Sequence, residues 1–394
     1  MKTVLLTLFA LTGADIHLPD GQVLSDATVI IQNDRIAAVG QQIPVPPDAK
    51  SIDMSGKIIT AGLIDSATTL GLVEIGAVAK SNDTDAGGDP IRAAQRARDS
   101  YNPFSAVIPV QRAHGITTVL TAHRGGLVSG QAAAYDLVDS PPAAAPAAIL
   151  ANLGGQKEGS RGSKISMLKE LLDDARTYAT RKVDVEKNRS RALVASRLDL
   201  EAMQPVLAGT IPLHVRVHRR SDIRATLALA QQFKIRIVIV GGAEAWLEAN
   251  ALKKADVPII LNPVANQPYQ FDSIHSRDDA AAILSQAGVR VALSTFSAHD
   301  VRKLRQWAGN AVRSGMLYAD ALASITHIPA DILGLKDRGR IQAGAVANLV
   351  VWNGDPFELA TAAEIVIIRG RPVSLKHRQQ RLFQRYRTLP MERY

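Results

Sequence analysis

Residues 211–242, IPLHVRVHRRSDIRATLALAQQFKIRIVIVGG, decide the fold of this chain. Two apolar runs of strand length, LHVRV and IRIVIVGG, flank a stretch whose apolar residues recur at helical spacing. A strand, a helix and a second strand in this order predict a parallel β-α-β unit, because parallel neighbours need a long crossover. We therefore expect a parallel sheet covered by helices.

The same alternation continues in both directions along the chain. Strand-like runs recur at 58–65 (IITAGLID), 115–123 (GITTVLTAH), 257–263 (VPIILNP) and 290–296 (RVALSTF), and helical patterns at 222–234, 243–255, 278–287 and 300–313. Residues 58–335 match the length of an eight-stranded β/α barrel. Two runs, GQAAAYDLV (130–138) and AAILANL (147–153), both resemble strands, but the proline-rich link between them is too short for a crossover helix. It stays open whether one of them is an excursion from the barrel.

The two ends of the chain have strand patterning without intervening helices. Residues 1–57 contain LFALTGADIH and ATVIIQNDRIAAVG, and residues 336–374 contain two further apolar runs. Since chain ends tend to lie close together, these segments predict one small β-sandwich domain built from both termini. The expected fold is α/β: a (β/α)8 TIM-like barrel (58–335), this composite domain, and a basic tail (375–394).

Composition excludes several classes of function. The chain has 394 residues, no cysteine and a net charge of +9, so disulfides, thiolate zinc sites and cysteine nucleophiles are excluded. Two segments, 181–197 and 376–394, account for the whole excess of basic residues. Local clusters of this kind are typical of solvated helices rather than of a continuous phosphate-binding groove, so nucleic-acid binding is not expected.

The amino-terminal residues allow two interpretations. Lys2 and the apolar stretch after it resemble a short secretory signal, but no small-residue cleavage motif follows, and the same residues are compatible with a β-strand. We favour the strand and a cytoplasmic location, with a periplasmic location through an atypical signal as the alternative. No window is long and apolar enough to predict a membrane span. A homo-oligomer remains open.

Four stretches of the sequence resemble the amidohydrolase superfamily, in particular its imidazolonepropionase-like branch. They are LTGADIHLPDG with IIQNDRIAAVG, KIITAGLIDSATTLG, VHRRSDIRATLALAQQFKIRIVIVGGAEAW, and SITHIPADILGLKDRGRIQAGAVANLVVWNGDP. The resemblance implies a metal-dependent hydrolase barrel that acts on C–N bonds of amides or cyclic amides. It also implies metal ligands at the carboxyl ends of the barrel strands.

The ligand positions that the resemblance implies carry other residues here. The first strand has Ala67 and Thr69 in place of two histidines, and the fifth has Arg216. The sixth has Gly241 or Gly242, and the eighth has Phe296 in place of an aspartate. The fourth-strand ligand cannot be located. Because these side chains offer no suitable donors, we predict no metal and no other cofactor, although the family normally binds one or two divalent metals.

Strand alternation predicts a polar face inside the barrel. Val215 and Val217 suit the side of the strand that faces the helices, so the residues between and around them face inward. The candidate catalytic residues are His218, His123 and Asp65, and the candidate ligand-binding residues are Arg216, His214, Glu244, Asn262 and His299.

These residues leave three interpretations open. Arg216 could bind a small anionic ligand while a histidine acts as acid or base without metal. His123, His218 and His299, with Glu244 or Asp65, could instead form an unusual metal site. Alternatively, the polar groups fill the space of a lost metal, with Arg216 paired to Asp65 or Glu244. The predicted function is hydrolysis of a non-peptide C–N bond in a small molecule, and the alternative is an inactive ligand-binding or scaffold protein.

Overall fold

The computed structural model describes residues 8–155, 159–187, 189, 191–265 and 267–388. In chain order its strands are β1 (Leu8–His17), β2 (Val23–Gln32), β3 (Arg35–Gln41), β4 (Lys50–Asp53), β5 (Ile58–Ala61), β6 (Leu63–Thr68), β7 (Ile116–Thr121), β8 (Val128–Asp136), β9 (Ala144–Asn152), β10 (Leu213–Val217), β11 (Ile237–Gly241), β12 (Ile259–Leu261), β13 (Val291–Leu293), β14 (Leu349–Trp352), β15 (Ala363–Ile368) and β16 (Arg371–Pro372).

The α-helices of these residues lie mainly between the barrel strands. They are α1 (Ala97–Ser100), α2 (Ile108–Arg112), α3 (Arg161–Glu186), α4 (Arg197–Ala202), α5 (Gln204–Leu207), α6 (Arg220–Phe233), α7 (Ala249–Lys254), α8 (Ala280–Gln286), α9 (Leu304–Arg313), α10 (Tyr318–Ala323), α11 (His327–Ile332) and α12 (Arg378–Tyr386). Short 3-10 helices cover Ala79–Ser81, Ala245–Glu248, Phe271–Ser273 and Val301–Lys303.

One sheet is a nearly closed barrel of eight strands, β6 to β13, arranged in chain order. Its first and last strands are joined through Asp65 of β6, which accepts hydrogen bonds from Ser294 and Thr295 directly after β13. β9 to β13 are mutually parallel, and so are β6 and β7. The expected TIM-like barrel of an α/β protein is therefore confirmed.

A hairpin resolves the doubtful third and fourth strands. β8 runs antiparallel to both β7 and β9, and both of its neighbours hydrogen-bond to it within the barrel. Neither of the two runs is an excursion. Because an antiparallel neighbour needs no crossover helix, the short proline-containing link at 137–143 is sufficient to connect β8 to β9.

The unit that decided the prediction folds as expected from its pattern. Helix α6 buries Ile223, Thr226, Leu229, Ala230 and Phe233, which recur every three or four residues and so share one face. That face packs into the hydrophobic cluster that also contains the outward-facing valines of β10. This packing fixes β10, and therefore its inward-facing side chains, relative to the helical layer.

The other sheet is built from both ends of the chain. Its order is β16-β15-β14-β5-β1-β2-β3, with β4 also paired to β1. β5 pairs with β1 and β14 and so belongs to this sheet. The barrel begins one strand later than the predicted residue 58, at β6. The sequence shows one apolar run at 58–65 because Gly62 alone separates β5 from β6. A Cβ at Gly62 would overlap the Thr117 side chain, so glycine permits the close approach at this junction.

A buried ion pair connects the barrel to the terminal sheet. Arg338 donates to the Asp136 carboxylate of β8 at 2.8, 3.0 and 3.3 Å. The same carboxylate accepts from Asn348 Nδ2 at 2.9 Å and from Thr118 Oγ1 at 3.0 Å. With every lone pair of the carboxylate engaged, this network specifies how the two sheets are oriented.

The two ends of the chain differ in how they join the fold. The strand interpretation of the amino terminus holds from Leu8 onward, where β1 begins, and residues 1–7 of the signal-like stretch lie outside the described residues. Near the other end, the predicted basic helix is α12, all of whose residues are exposed. No helix among the described residues has the length and apolar character needed to cross a bilayer.

Candidate functional site

Two small cavities adjoin at the carboxyl end of the barrel, and Arg216 lines both of them. Each has a volume of about 150 Å³. The first is bordered by β7, β9 and β10 and includes His123, His214 and Asn152. The second lies between the ends of β10, β11 and β12 and includes His218 and Asn262. The mouth of the barrel is therefore the place where polar side chains from separate strands converge.

Arg216 lies at the centre of this site without an anionic partner. Alternation along β10 buries Val215 and Val217 against the helices and turns Arg216 inward. Its guanidinium stacks over the Phe296 ring at 5.2 Å, and among the described residues no side chain or carbonyl forms a hydrogen bond or ion pair with it. Burial, and secondarily the nearby Arg124 charge, lower the pKa of Arg216.

A second arginine at the mouth, Arg124, was missed by the sequence reasoning. It follows β7 directly after His123 and lines the first cavity. Its Nη2 donates to the Phe296 carbonyl oxygen at 2.6 Å, while Phe296 itself has a positive φ of 52°. Phe296 thus holds both arginines, one through its carbonyl and one through its ring. The sequence did contain a signal for Arg124, namely a basic residue directly after a strand of the barrel.

His218 lies in the second cavity in its neutral form at pH 7. Burial, then the Arg216 charge, lower the pKa of His218 to about 4, and Asp272 opposes this shift. The imidazole packs on Gly241, where a Cβ would overlap the ring and where φ is +95°. Glycine at this strand end therefore makes the space that His218 occupies.

The two other inward histidines are also held neutral by burial. Desolvation lowers the pKa of His214 to about 3, and its Nε2 is buried with no hydrogen-bond partner in the described part of the chain. His123 Nε2 lies 3.3 Å from Ser100 Oγ, and its Nδ1 has no such partner. Burial likewise lowers the pKa of His123. Both rings border the first cavity and offer neutral imidazole atoms to it.

Asp65 is buried and occupied by its own protein partners. The carboxylate accepts from Thr295 Oγ1 at 2.6 Å, from the Thr295 amide at 3.1 Å, and from Ser294 Oγ. Desolvation raises the pKa of Asp65 to about 6, although these hydrogen bonds act in the opposite direction. The pairing of Arg216 with Asp65, which one of the three interpretations allowed, is not formed, because the carboxylate closes the barrel instead.

The remaining predicted residues divide between the site and its surroundings. Asn262 lines the second cavity, and its Oδ1 accepts from the Val264 amide at 3.0 Å. Glu244 accepts from the Arg220 amide at 2.7 Å, at the first turn of α6, and lines neither cavity. His299 is exposed, with Nε2 2.9 Å from the Glu74 carbonyl oxygen. The pairing of Arg216 with Glu244, the other one allowed by that interpretation, is not formed either.

The structure locates the fourth-strand position that the sequence left undefined. β9 is the fourth strand of the barrel, and it ends at Asn152, directly opposite Arg216 in the strand register. Asn152 lines the first cavity, and its Oδ1 accepts from the Gly154 amide at 3.2 Å. This residue was missed because the reversed β8 obscured the strand count.

The side chains at the implied ligand positions do not form a donor set for a divalent metal. Ala67, Thr69, Gly241 and Phe296 supply no imidazole or carboxylate, and Arg216 carries a positive charge. Within the described ranges, no group of three or more His, Asp and Glu side chains is arranged to hold a metal ion. His123, His218, His299, Glu244 and Asp65 are thus not assembled into the unusual metal site considered above.

Comparisons of sequence show that parts of this chain are similar to amidohydrolases. The amidohydrolase family model matches residues 285–374. Amidohydrolase tasK of Hapsidospora irregularis is 23% identical over 384 residues, which is 87% of this chain but 39% of the fungal protein. This chain therefore spans well under half the length of that relative. Imidazolonepropionase of Vibrio cholerae is 45% identical over 49 residues, 12% of each chain.

Solved structures agree with this assignment at the level of the fold. An amidohydrolase from Thermotoga maritima MSB8 superposes with a TM-score of 0.83 at 24% identity, over 93% of this chain and 99% of that one. In sequence over residues 285–374 and in fold over most of its length, this chain is similar to amidohydrolases.

Proposed function

We propose that the barrel mouth binds a small organic anion and that Arg216 is the residue that anchors it. The observation that carries this proposal is the Arg216 guanidinium, which lines both cavities and has no anionic partner among the described residues. Arg216 is half-buried; a cation that loses hydration without gaining a partner is costly, and a bound anion would offset that cost. The planar guanidinium suits the two oxygens of a carboxylate.

The surroundings of Arg216 favour an anion over a neutral ligand. Arg124 adds a second positive charge at the first cavity, whereas the carboxylates of Asp65 and Glu244 are engaged elsewhere. Leu120, Leu150 and Val240 complete the wall of that cavity. A small apolar body that ends in a carboxylate would match these walls and charges.

The similarity to amidohydrolases supports hydrolysis of a C–N bond in the bound molecule, here by a route without metal. Water would add to the carbonyl carbon of an amide or cyclic amide and pass its proton to neutral His218. Since Arg216 holds the carboxylate, Arg124 would stabilise the negative oxygen that forms at the reacting carbonyl. The C–N bond would then break, with the proton returning from His218 to the leaving nitrogen.

A second candidate is a binding protein without turnover. It is favoured by the weak basicity of His218, whose pKa is lowered to about 4, and by the occupied carboxylate of Asp65. Under this alternative the same anion binds at the same place, but no group transfers protons efficiently.

Binding and turnover can be measured separately on metal-analysed protein. Calorimetric titration with small carboxylates and with carboxylate-bearing cyclic amides should give binding to wild type that Arg216→Met abolishes. Arg313→Met, at an exposed site on α9, serves as the matched control and should bind normally. Turnover that persists with chelator and is lost in His218→Gln supports hydrolysis, and binding without turnover supports the second candidate. A stoichiometric metal whose removal abolishes binding would contradict the proposal.

A further inference from the structure

Helix α12 carries an exposed apolar face. Leu382, Phe383 and Tyr386 are 40%, 67% and 64% exposed. Leu382 and Tyr386 are four residues apart, with Phe383 beside them, so the three side chains lie on one side of the helix. No residue of α12 is buried against the rest of the described protein.

Arginines occupy the neighbouring face of the same helix. Arg378, Arg381 and Arg385 are spaced three and four residues apart, which places them together. The segment 375–388 contains no acidic residue. Among the described residues no carboxylate forms an ion pair with any of these arginines, so their charges are available to an external anion.

Within the described residues, the contacts that attach the helix to the protein lie before its start. Val373 and Leu375 pack against the main hydrophobic cluster, and His377 accepts from the Gln380 amide to cap the helix start. The chain is thus fixed immediately before α12, while the helix itself presents both its apolar and its basic face outward.

We propose that α12 binds the surface of a bilayer containing anionic phospholipid, lying in the plane of the interface. Its apolar side chains would enter the boundary between headgroups and acyl chains, and its arginines would contact lipid phosphates. The charge complementarity and the adjacent apolar face together match this partner. A nucleic acid would use the arginines but leave Leu382 and Phe383 exposed.

The proposal is tested by flotation of the full chain with phosphatidylcholine vesicles that contain or lack phosphatidylglycerol. Wild type should float only with the anionic vesicles, and less so at high salt. Each arginine removed should weaken binding about fivefold, so Arg381→Gln with Arg385→Gln should reduce it about 25-fold. Leu382→Ser with Phe383→Ser should abolish binding while leaving the melting temperature unchanged.

Matched controls separate the helix from general surface effects. Arg313→Gln with Leu359→Ser changes an exposed arginine and an exposed leucine outside α12 and should bind vesicles as wild type does. No flotation of wild type, or equal flotation of all variants, would overturn the proposal. So would a change of oligomeric state in the α12 variants, or tighter binding to DNA than to vesicles, since either would assign the helix to another partner.

Discussion

Replacing Arg216 by methionine should stabilise the folded chain while it removes ligand binding. The guanidinium is half-buried in the barrel mouth, has no described anionic partner, and is repelled by Arg124. Methionine keeps an unbranched stem of similar length and removes the charge. Charged groups that a protein keeps for function, despite the free energy lost on desolvation, commonly lower its stability.

The magnitude follows from two opposing contributions. Desolvating an unpaired ion costs several kcal/mol, of which the Phe296 ring returns about 0.5–2 kcal/mol through its contact with the cation. A net gain of about 1–3 kcal/mol on substitution is expected. At roughly 2 °C per kcal/mol for a large chain, the melting temperature should rise by about 2–6 °C.

Arg338 provides a control with the opposite expected sign. It is more deeply buried than Arg216, and it donates three hydrogen bonds to Asp136. Arg338→Met would leave that carboxylate buried without its counter-ion, which costs about 3–5 kcal/mol. Thermal and urea unfolding of the two variants should therefore move in opposite directions from wild type.

A loss of stability in Arg216→Met as large as that in Arg338→Met would refute the reasoning. It would mean that Arg216 has a partner that stabilises it in the protein. A second measurement checks the same conclusion, because an anion that binds Arg216 should raise the melting temperature of wild type but not of Arg216→Met.

Three further predictions concern the strand ends. Asp65→Ala should destabilise the chain by about 3–5 kcal/mol in urea unfolding, because it leaves buried donors of Ser294 and Thr295 without an acceptor; an effect below about 1 kcal/mol would contradict its role in closing the barrel. Burial lowers the pKa of His218 from 6.5 to about 4, so the unfolded chain takes up a proton at higher pH than the folded chain, and the free energy of unfolding falls as pH drops from 6.5 to 4. His218→Gln removes this loss and should be more stable relative to wild type by up to about 2 kcal/mol at about pH 5. The same pH dependence in both proteins would contradict the shift. Gly241→Ala should cost about 1–3 kcal/mol through its positive φ and should displace the His218 ring, which a changed imidazole NMR signal would report.

Much of the fold could be predicted from the chain because strand and helix periodicities are local. The run at 211–242 contains the strand, the amphipathic helix and the next strand in recognisable form. The strand count failed at β8, whose reversed direction depends on pairing with both neighbours. The barrel start also failed, because β5 and β6 are one continuous apolar run in the sequence.

The candidate site was only partly predictable for a related reason. Alternation along β10 correctly gave the inward face of His214 and Arg216, since side chains of one strand alternate by geometry alone. Glu244 and His299 were predicted to lie in the site but do not line the two cavities. Both lie in loops after a strand end, where side chains do not alternate as they do along a strand. Asn152 was missed because the fourth strand was not identified.

The sequence by itself determined the class of fold, the family resemblance and the absence of histidine or aspartate at the implied metal positions, since each depends only on residue identity and spacing. Only the tertiary structure decided that Asp65 closes the barrel while Arg216 is left without a described counter-ion. The physical reason is that ion pairing and desolvation depend on distances between residues far apart in the chain. Arg216, the Phe296 ring that it contacts and the neighbouring Arg124 come from three separate strand ends.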